Sequence, residues 1–161
     1  MFAQRSERYD TRDRSYGVWH RVKSIARFLE PRQAASLTMA DLDSVVFTEY
    51  NYPDKVPLCL VEVALDIGQE KPTGVIQNLA RLADLPAFVV LYTPASRPNP
   101  FNLNWSDIDS FRVRRVWPKP EAAWRQLSPA EWAQGLVRIR DWQLRRFQGM
   151  QAANDPYFQG D

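Results

Sequence analysis

The sequence is poor in the residues that build most metal and redox centres. It holds one cysteine, Cys59, and one histidine, His20. A single cysteine excludes an intramolecular disulfide and a cysteine-based zinc cluster. A single histidine leaves little for a histidine-built site. Any bound metal would therefore be held mainly by carboxylates, which favour hard cations such as Mg2+ or Mn2+. No window reaches the roughly 18 consecutive apolar residues that a membrane helix needs, so no membrane partner is expected. The opening stretch from Met1 to Gly17 is highly charged and lacks an apolar h-region. No secretory signal is expected, and the cysteine usage suits the reducing cytoplasm. No internal repeat is found.

What is present is ordinary in amount and uneven in placement. The 161 residues are 45% hydrophobic and 25% charged, a composition that argues for one folded domain and against wholesale disorder. The net charge of +2 hides a segregation. Residues 1–32 carry +4, residues 33–110 carry −6, residues 111–147 carry +6 and the remaining tail −2. An acidic centre between basic flanks suits a metal-dependent site that holds a polyanion; plain solvated surface would give the same counts.

Along the chain, residues 1–15 read as a polar arm. Val18, Trp19, Val22, Ile25, Ala26 and Leu29 follow helical spacing, and Pro31 is expected to end that helix. Residues 39–50 and 57–65 read as two strands joined by turn chemistry at Asn51–Lys55, hence a hairpin. Pro72 suits the first turn of a helix running to about Asp84, with Val75, Ile76, Leu79 and Leu82 as its apolar stripe. Residues 87–93 form a wholly apolar run, the mark of a strand buried on both faces. Residues 94–109, with three prolines, read as a long loop, and Phe111–Trp117 as a fourth strand. Ser128-Pro129-Ala130-Glu131 is a capping box, and the helix it opens carries Trp132, Leu136, Ile139 and Trp142 on one stripe. Residues 148–161 read as a frayed, flexible tail. The expected fold is α/β, with a central mixed sheet of four or more strands flanked by helices in a single domain over residues 16–147.

Glu62 is the most informative residue. It interrupts the apolar run from Leu58 to Leu65, where strand alternation sets it on one face with Leu58, Leu60 and Ala64. An ionised carboxylate there is costly unless paired or bound to a metal. The alternative is an edge position reaching solvent or an arginine. Asp41 and Asp43 share a face in the preceding strand, and Asp43 again keeps apolar company. On consecutive strands of a hairpin, Asp43 and Glu62 could converge on one ion. Strand-entry polarity is the alternative, especially for Asp41.

An acidic residue in one strand, followed about twenty residues on by a Glu-centred strand, resembles the signature of the PD-(D/E)XK nucleases. The likeness is to small phage and prokaryotic members. It covers about residues 16–93: Trp19-His20-Arg21, then Asp41 to Phe47, then Pro57 to Ala64. The resemblance implies a restriction-endonuclease-like α-β-β-α-β core and carboxylates (Asp43 and Glu62, assisted by Asp41) that hold Mg2+ or Mn2+ near the scissile phosphate. The departure is Ala64, which stands where the family has its lysine. That lysine positions or activates the attacking water and stabilises charge on the phosphate. Two readings remain. A basic group arrives from elsewhere, with Lys71 the candidate and Gln69 orienting a water; or the site is dead and the fold is kept for binding nucleic acid or a protein.

Further candidates surround that motif. His20 is either a general base or a packed, hydrogen-bonded histidine, and Arg21 is a candidate phosphate clamp. Arg112 and Arg114 share one strand face, while Arg115 joins Phe111, Val113 and Trp117 on the other. With Arg138, Arg140, Arg145 and Arg146 they would make a phosphate-contacting surface, or they would pair with the acidic centre. Trp105 either stacks on a base or partner, or anchors its loop. The expected function is a metal-dependent nuclease-like protein. Its alternative is a degenerate member of that fold, phage-encoded, with an accessory, inhibitory or structural role.

Overall fold

A computed structural model of the chain describes residues 27–29, 31–36, 44–51 and 54–154. The chain divides into two units, residues 1–41 and residues 42–161. In the first, residues 27–29 form a turn and bend in which the Arg27 guanidinium sits 5.0 Å over the Phe28 ring, and α1 spans Pro31–Ser36. Pro31 opens this helix. Its fixed φ and missing N–H suit a first turn, where that donor has no helical partner. The arm of residues 1–15 and most of the expected first helix lie outside the described residues.

The second unit is built on a five-stranded mixed sheet in the order β1-β2-β3-β4-β5, within the expected four or more strands. β1 (Ser44–Asn51) and β2 (Asp54–Leu65) form the expected antiparallel hairpin, with Ser44 opposite Val61 and Val46 opposite Cys59. β2 leads through α2 (Gly74–Ala83) to β3 (Ala87–Asn99), which runs parallel to β2 and pairs Glu62 with Val89. β4 (Asn102–Trp117) and β5 (Arg125–Leu127) add antiparallel strands, and α3 (Pro129–Asn154) follows. The helix thus continues through part of the stretch read as tail.

Punctuation explains the boundaries. α2 ends because Asp84 turns left-handed at φ 53° and the Leu85 N–H donates to the Ala80 carbonyl at 3.0 Å, with Pro86 next. α3 begins with its capping box formed: the Glu131 N–H donates to Ser128 Oγ at 3.2 Å, and the Ser128 N–H donates to the Glu131 carboxylate at 2.7 Å. The backbone and hydroxyl of Ser128 hold the Glu131 carboxyl below its ordinary range.

Alternation on β2, β3 and β4 separates two cores. On one face Leu60, Ala87, Val89, Leu91 and Val116 pack against Ile76 and Ala80 of α2. On the other, Cys59, Val61, Phe88, Val90 and Val113 pack against Trp132, Leu136 and Ile139 of α3. β3 lies in the middle and Val89 is fully buried, as its apolar run predicts. Burial pushes the Cys59 thiol up to about 12.

Three readings are corrected here. The stretch 94–109 is a two-stranded ribbon extending β3 and β4, not a loop. Its prolines 94 and 98 sit at register shifts, where the ladder does not require their missing N–H. Trp117 departs from the Phe111–Val113 face, because a register shift between Ala87 and Phe88 moves it to the α2 side. On α3, Gln143 rather than Trp142 is buried. Eleven residues from Trp132 make about three full helical turns, which ten do not.

Candidate functional site

The α2 face of the sheet is apolar at one end and charged at the other. α2 has only ten residues, and Ile76 and Ala80 cover the end around Leu60, Ala87 and Val89. Beyond them, alternation on β2 delivers Glu62 and Ala64, Asp66 follows directly after the strand with its N–H on the Tyr92 carbonyl, and alternation on β4 delivers Arg112 and Arg114 to that same face. Register makes them rows: Glu62–Val89–Arg114, and Ala64–Leu91–Arg112. Two strand spacings put Glu62 and Arg114 about 10 Å apart at their Cα atoms.

The loop between β2 and α2 completes the cluster. Lys71 reaches back from it so that its Nζ lies 2.5 Å from Glu62 Oε1, with the two side chains 30% and 15% exposed. The same ammonium donates to the Val63 carbonyl at 3.1 Å, which fixes it over β2. The loop turns at Gly68, whose φ of 74° favours glycine. Its N–H donates to Asp66 Oδ1 at 3.2 Å. The Asp66 carboxylate also accepts two bonds from the Arg112 guanidinium, at 2.6 and 2.8 Å. Those two bonds first, and the Gly68 N–H second, hold the Asp66 carboxyl below its usual range. The pairing raises Arg112 in turn.

Arg114 is the least satisfied of these groups. Its side chain is 19% exposed, its nearest carboxylate is the largely exposed Glu70 at 3.8 Å, and no hydrogen bond holds it among the described residues. The Trp124 ring supports it at 4.7 Å and Arg112 at 5.1 Å, so both guanidiniums are held by cation–π contact. A guanidinium in this state carries several N–H donors ready for an oxyanion.

The other candidates fare differently. Asp41, Asp43, His20 and Arg21 lie outside the described residues. Asp43 directly precedes Ser44, the residue opposite Val61. Gln69 is exposed in the loop. Arg138 belongs to the α3 side, while Arg146 is held by the Asp84 carboxylate and by Gln143 Oε1 at 3.0 Å. Arg145 is exposed and has no ion-pair partner among the described residues. The arginines named from the sequence therefore do not make one surface: Arg112 and Arg114 occupy one face and Arg138 the other. Among the described residues no three His, Cys, Asp or Glu side chains gather as a metal-holding group. Within the same residues no helix is long and apolar enough to cross a membrane.

Sequence reasoning missed Asp66, Glu70 and Trp124. Asp66 directly follows the Glu62 strand, four residues after Glu62, so continuing the alternation by one residue could have placed it. Trp124 gave no signal, because it precedes a three-residue strand with no pattern of its own. No family model matches the chain, and neither a curated protein nor a solved structure matches it.

Proposed function

We propose that the protein is a metal-dependent, nuclease-like enzyme acting on nucleic-acid phosphodiesters in the cytoplasm, with a PD-(D/E)XK type core in which Lys71 serves for the lysine missing at Ala64. The observation that carries this reading is the Lys71 ammonium 2.5 Å from the Glu62 carboxylate, on the strand face where the motif lysine would lie. The order hairpin, crossing helix, buried parallel strand supports it, as does the row that sets Arg114 across from Glu62.

In this reading Glu62 supplies a hard oxygen donor, with Asp43 and Asp41 completing the set for Mg2+ or Mn2+. The ion would supply Lewis acidity and a more acidic bound water. Lys71 stabilises charge developing on the phosphoryl oxygens, and Gln69 orients the attacking water. Arg114, with Arg112 beside it, clamps the flanking phosphate once that anion displaces Glu70.

A second reading is a degenerate member of the fold that binds nucleic acid or protein without cleaving. The observation favouring it is charge balance: Glu62, Asp66 and Glu70 are each matched by a cation. One experiment separates the two. The full chain is incubated with single-stranded DNA, duplex DNA and RNA in Mg2+, Mn2+ or EDTA. The enzyme reading expects metal-dependent cleavage that falls about 100-fold or more in Glu62→Ala and Lys71→Ala. Partial recovery is expected when Ala64→Lys is added to Lys71→Ala. The binding reading expects no cleavage by any variant. Nucleic-acid affinity would then fall with salt at a slope of about 0.9 per neutralised phosphate for duplex DNA, and the slope would shrink in Arg114→Gln.

A further inference from the structure

A cavity lies on the opposite face of the sheet, away from Glu62, Lys71, Arg112 and Arg114. It has a volume of about 620 Å3 and opens between the first turns of α3 and the ends of β3, β4 and β5. Its floor is aromatic and aliphatic: Phe88 and Trp132 meet edge to face at 6.1 Å, with Ile139 and Leu127 beside them. That volume lies within the range of small-molecule sites.

Its rim is cationic. Arg115 and Arg125 share one carboxylate, Glu121, at 3.7 and 3.2 Å. The Glu131 carboxylate is engaged at the N-terminus of α3 by Ser128. Arg138 stands on the same rim with no ion pair or hydrogen bond among the described residues. Three guanidiniums thus face two carboxylates, and the uncompensated charge is beside an aromatic floor.

Gly135 is a second, independent sign. It lies inside α3, where glycine weakens a helix relative to alanine, and its backbone has no positive φ to require it. A Cβ built there meets the Arg138 guanidinium at 3.9 Å and the Trp132 ring at 4.0 Å, ordinary contact distances. Alanine would fit, so backbone geometry and local crowding leave the glycine unexplained. The missing side chain keeps open the gap between the guanidinium and the indole.

We infer that this cavity binds a small planar aromatic anion, its ring on Phe88 and Trp132 and its charged group on Arg138. A free nucleotide and an aromatic carboxylate share that chemistry. The inference is independent of the nuclease reading, since none of the residues assigned to that reaction lines the cavity.

The test is titration of the full chain, followed by tryptophan fluorescence and calorimetry, with naphthalene-1-carboxylate and its neutral analogue naphthalene-1-carboxamide. The carboxylate is expected to bind at least tenfold more tightly, about 1.4 kcal/mol. Arg138→Gln should erase that preference and leave carboxamide affinity unchanged. Gly135→Leu should abolish binding of both while the thermal midpoint rises. Adenosine 5′-monophosphate binding tenfold above adenosine would assign the nucleotide source; equal binding of those two, with the naphthalene preference intact, would assign the carboxylate source. No binding of naphthalene-1-carboxylate at millimolar concentration overturns the inference, as does equal affinity for the two naphthalenes. A preference that survives in Arg138→Gln overturns it too, and that variant decides alone if Gly135→Leu fails to fold.

Discussion

The two faces of β2, β3 and β4 differ by a single step of alternation, yet they are built to different ends. Toward α3, Cys59, Val61, Phe88, Val90 and Val113 make a continuous apolar layer. Toward α2, the layer stops after Leu60, Val89 and Leu91, and the next positions hold Glu62, Asp66, Arg112 and Arg114. A fold that needed only stability would have continued the apolar layer. Desolvating charges to pair them is often no better than packing hydrophobic groups of the same size. The difference therefore marks the sheet surface beyond α2 as shaped by something besides folding.

Removing an apolar side chain should produce the largest effect on either face. Leu91→Ala is expected to destabilise by about 2–5 kcal/mol, measured by urea unfolding, because Leu91 is fully buried and its neighbours cannot collapse onto the void. A loss below about 1 kcal/mol would mean that the layer is looser than its burial implies. Lys71→Ala should follow at about 1–3 kcal/mol, since it strands the half-buried Glu62 carboxylate. Replacing both partners, in Glu62→Leu with Lys71→Met, should restore or exceed the stability of the native chain. If the double replacement is as unstable as Lys71→Ala, the pair is structural, and the contrast between the faces is lost.

Acid should act on the charged face first. Asp66 is held below its ordinary range by Arg112, so its contribution is fully present above its unfolded value of about 3.9. That contribution is lost as pH falls through the lower, folded value. The thermal midpoint of the native chain should fall more steeply below about pH 4 than that of Arg112→Gln. Parallel curves for the two proteins would show that the pair does not contribute. On the other face Cys59, with its thiol pushed up to about 12, should resist a thiol reagent at pH 8 until denaturant opens the sheet.

Much of this contrast was legible in the sequence. The apolar run at 87–93 announced the central strand, and Glu62 inside Leu58–Leu65 announced a carboxylate in need of a partner. Lys71 was named from its nearness in sequence alone, and the loop that turns at Gly68 delivers it. The partners of the arginines were harder to read. Arg112 and Arg114 looked like a phosphate surface because strand alternation reports a shared face but not what stands across from it. The Asp66 pairing spans 46 residues and depends on β3 lying between the two strands. Pro94, Pro98 and Pro100 disguised the ribbon as a loop, since proline reads as a strand breaker unless register shifts absorb it.

That ribbon offers the smallest expected effect and the sharpest control. It belongs to the same β3 and β4, but none of its residues joins either core cluster, and Ala95 is its one buried position. Phe101, Leu103 and Trp105 are 90%, 72% and 71% exposed, and the Arg97–Asp107 ion pair at 3.1 Å links its two strands. Trp105 thus does not anchor a loop. Serine at each of the three positions should change stability by no more than about 0.5 kcal/mol per site, because little apolar surface is buried there to lose. Arg97→Ala should be as mild, an exposed pair being worth about 0–1 kcal/mol. Unfolding midpoints of the triple-serine variant test this directly. A loss comparable to Leu91→Ala would mean that the ribbon is packed in solution, and that the strands gain a third covered surface beyond their two faces.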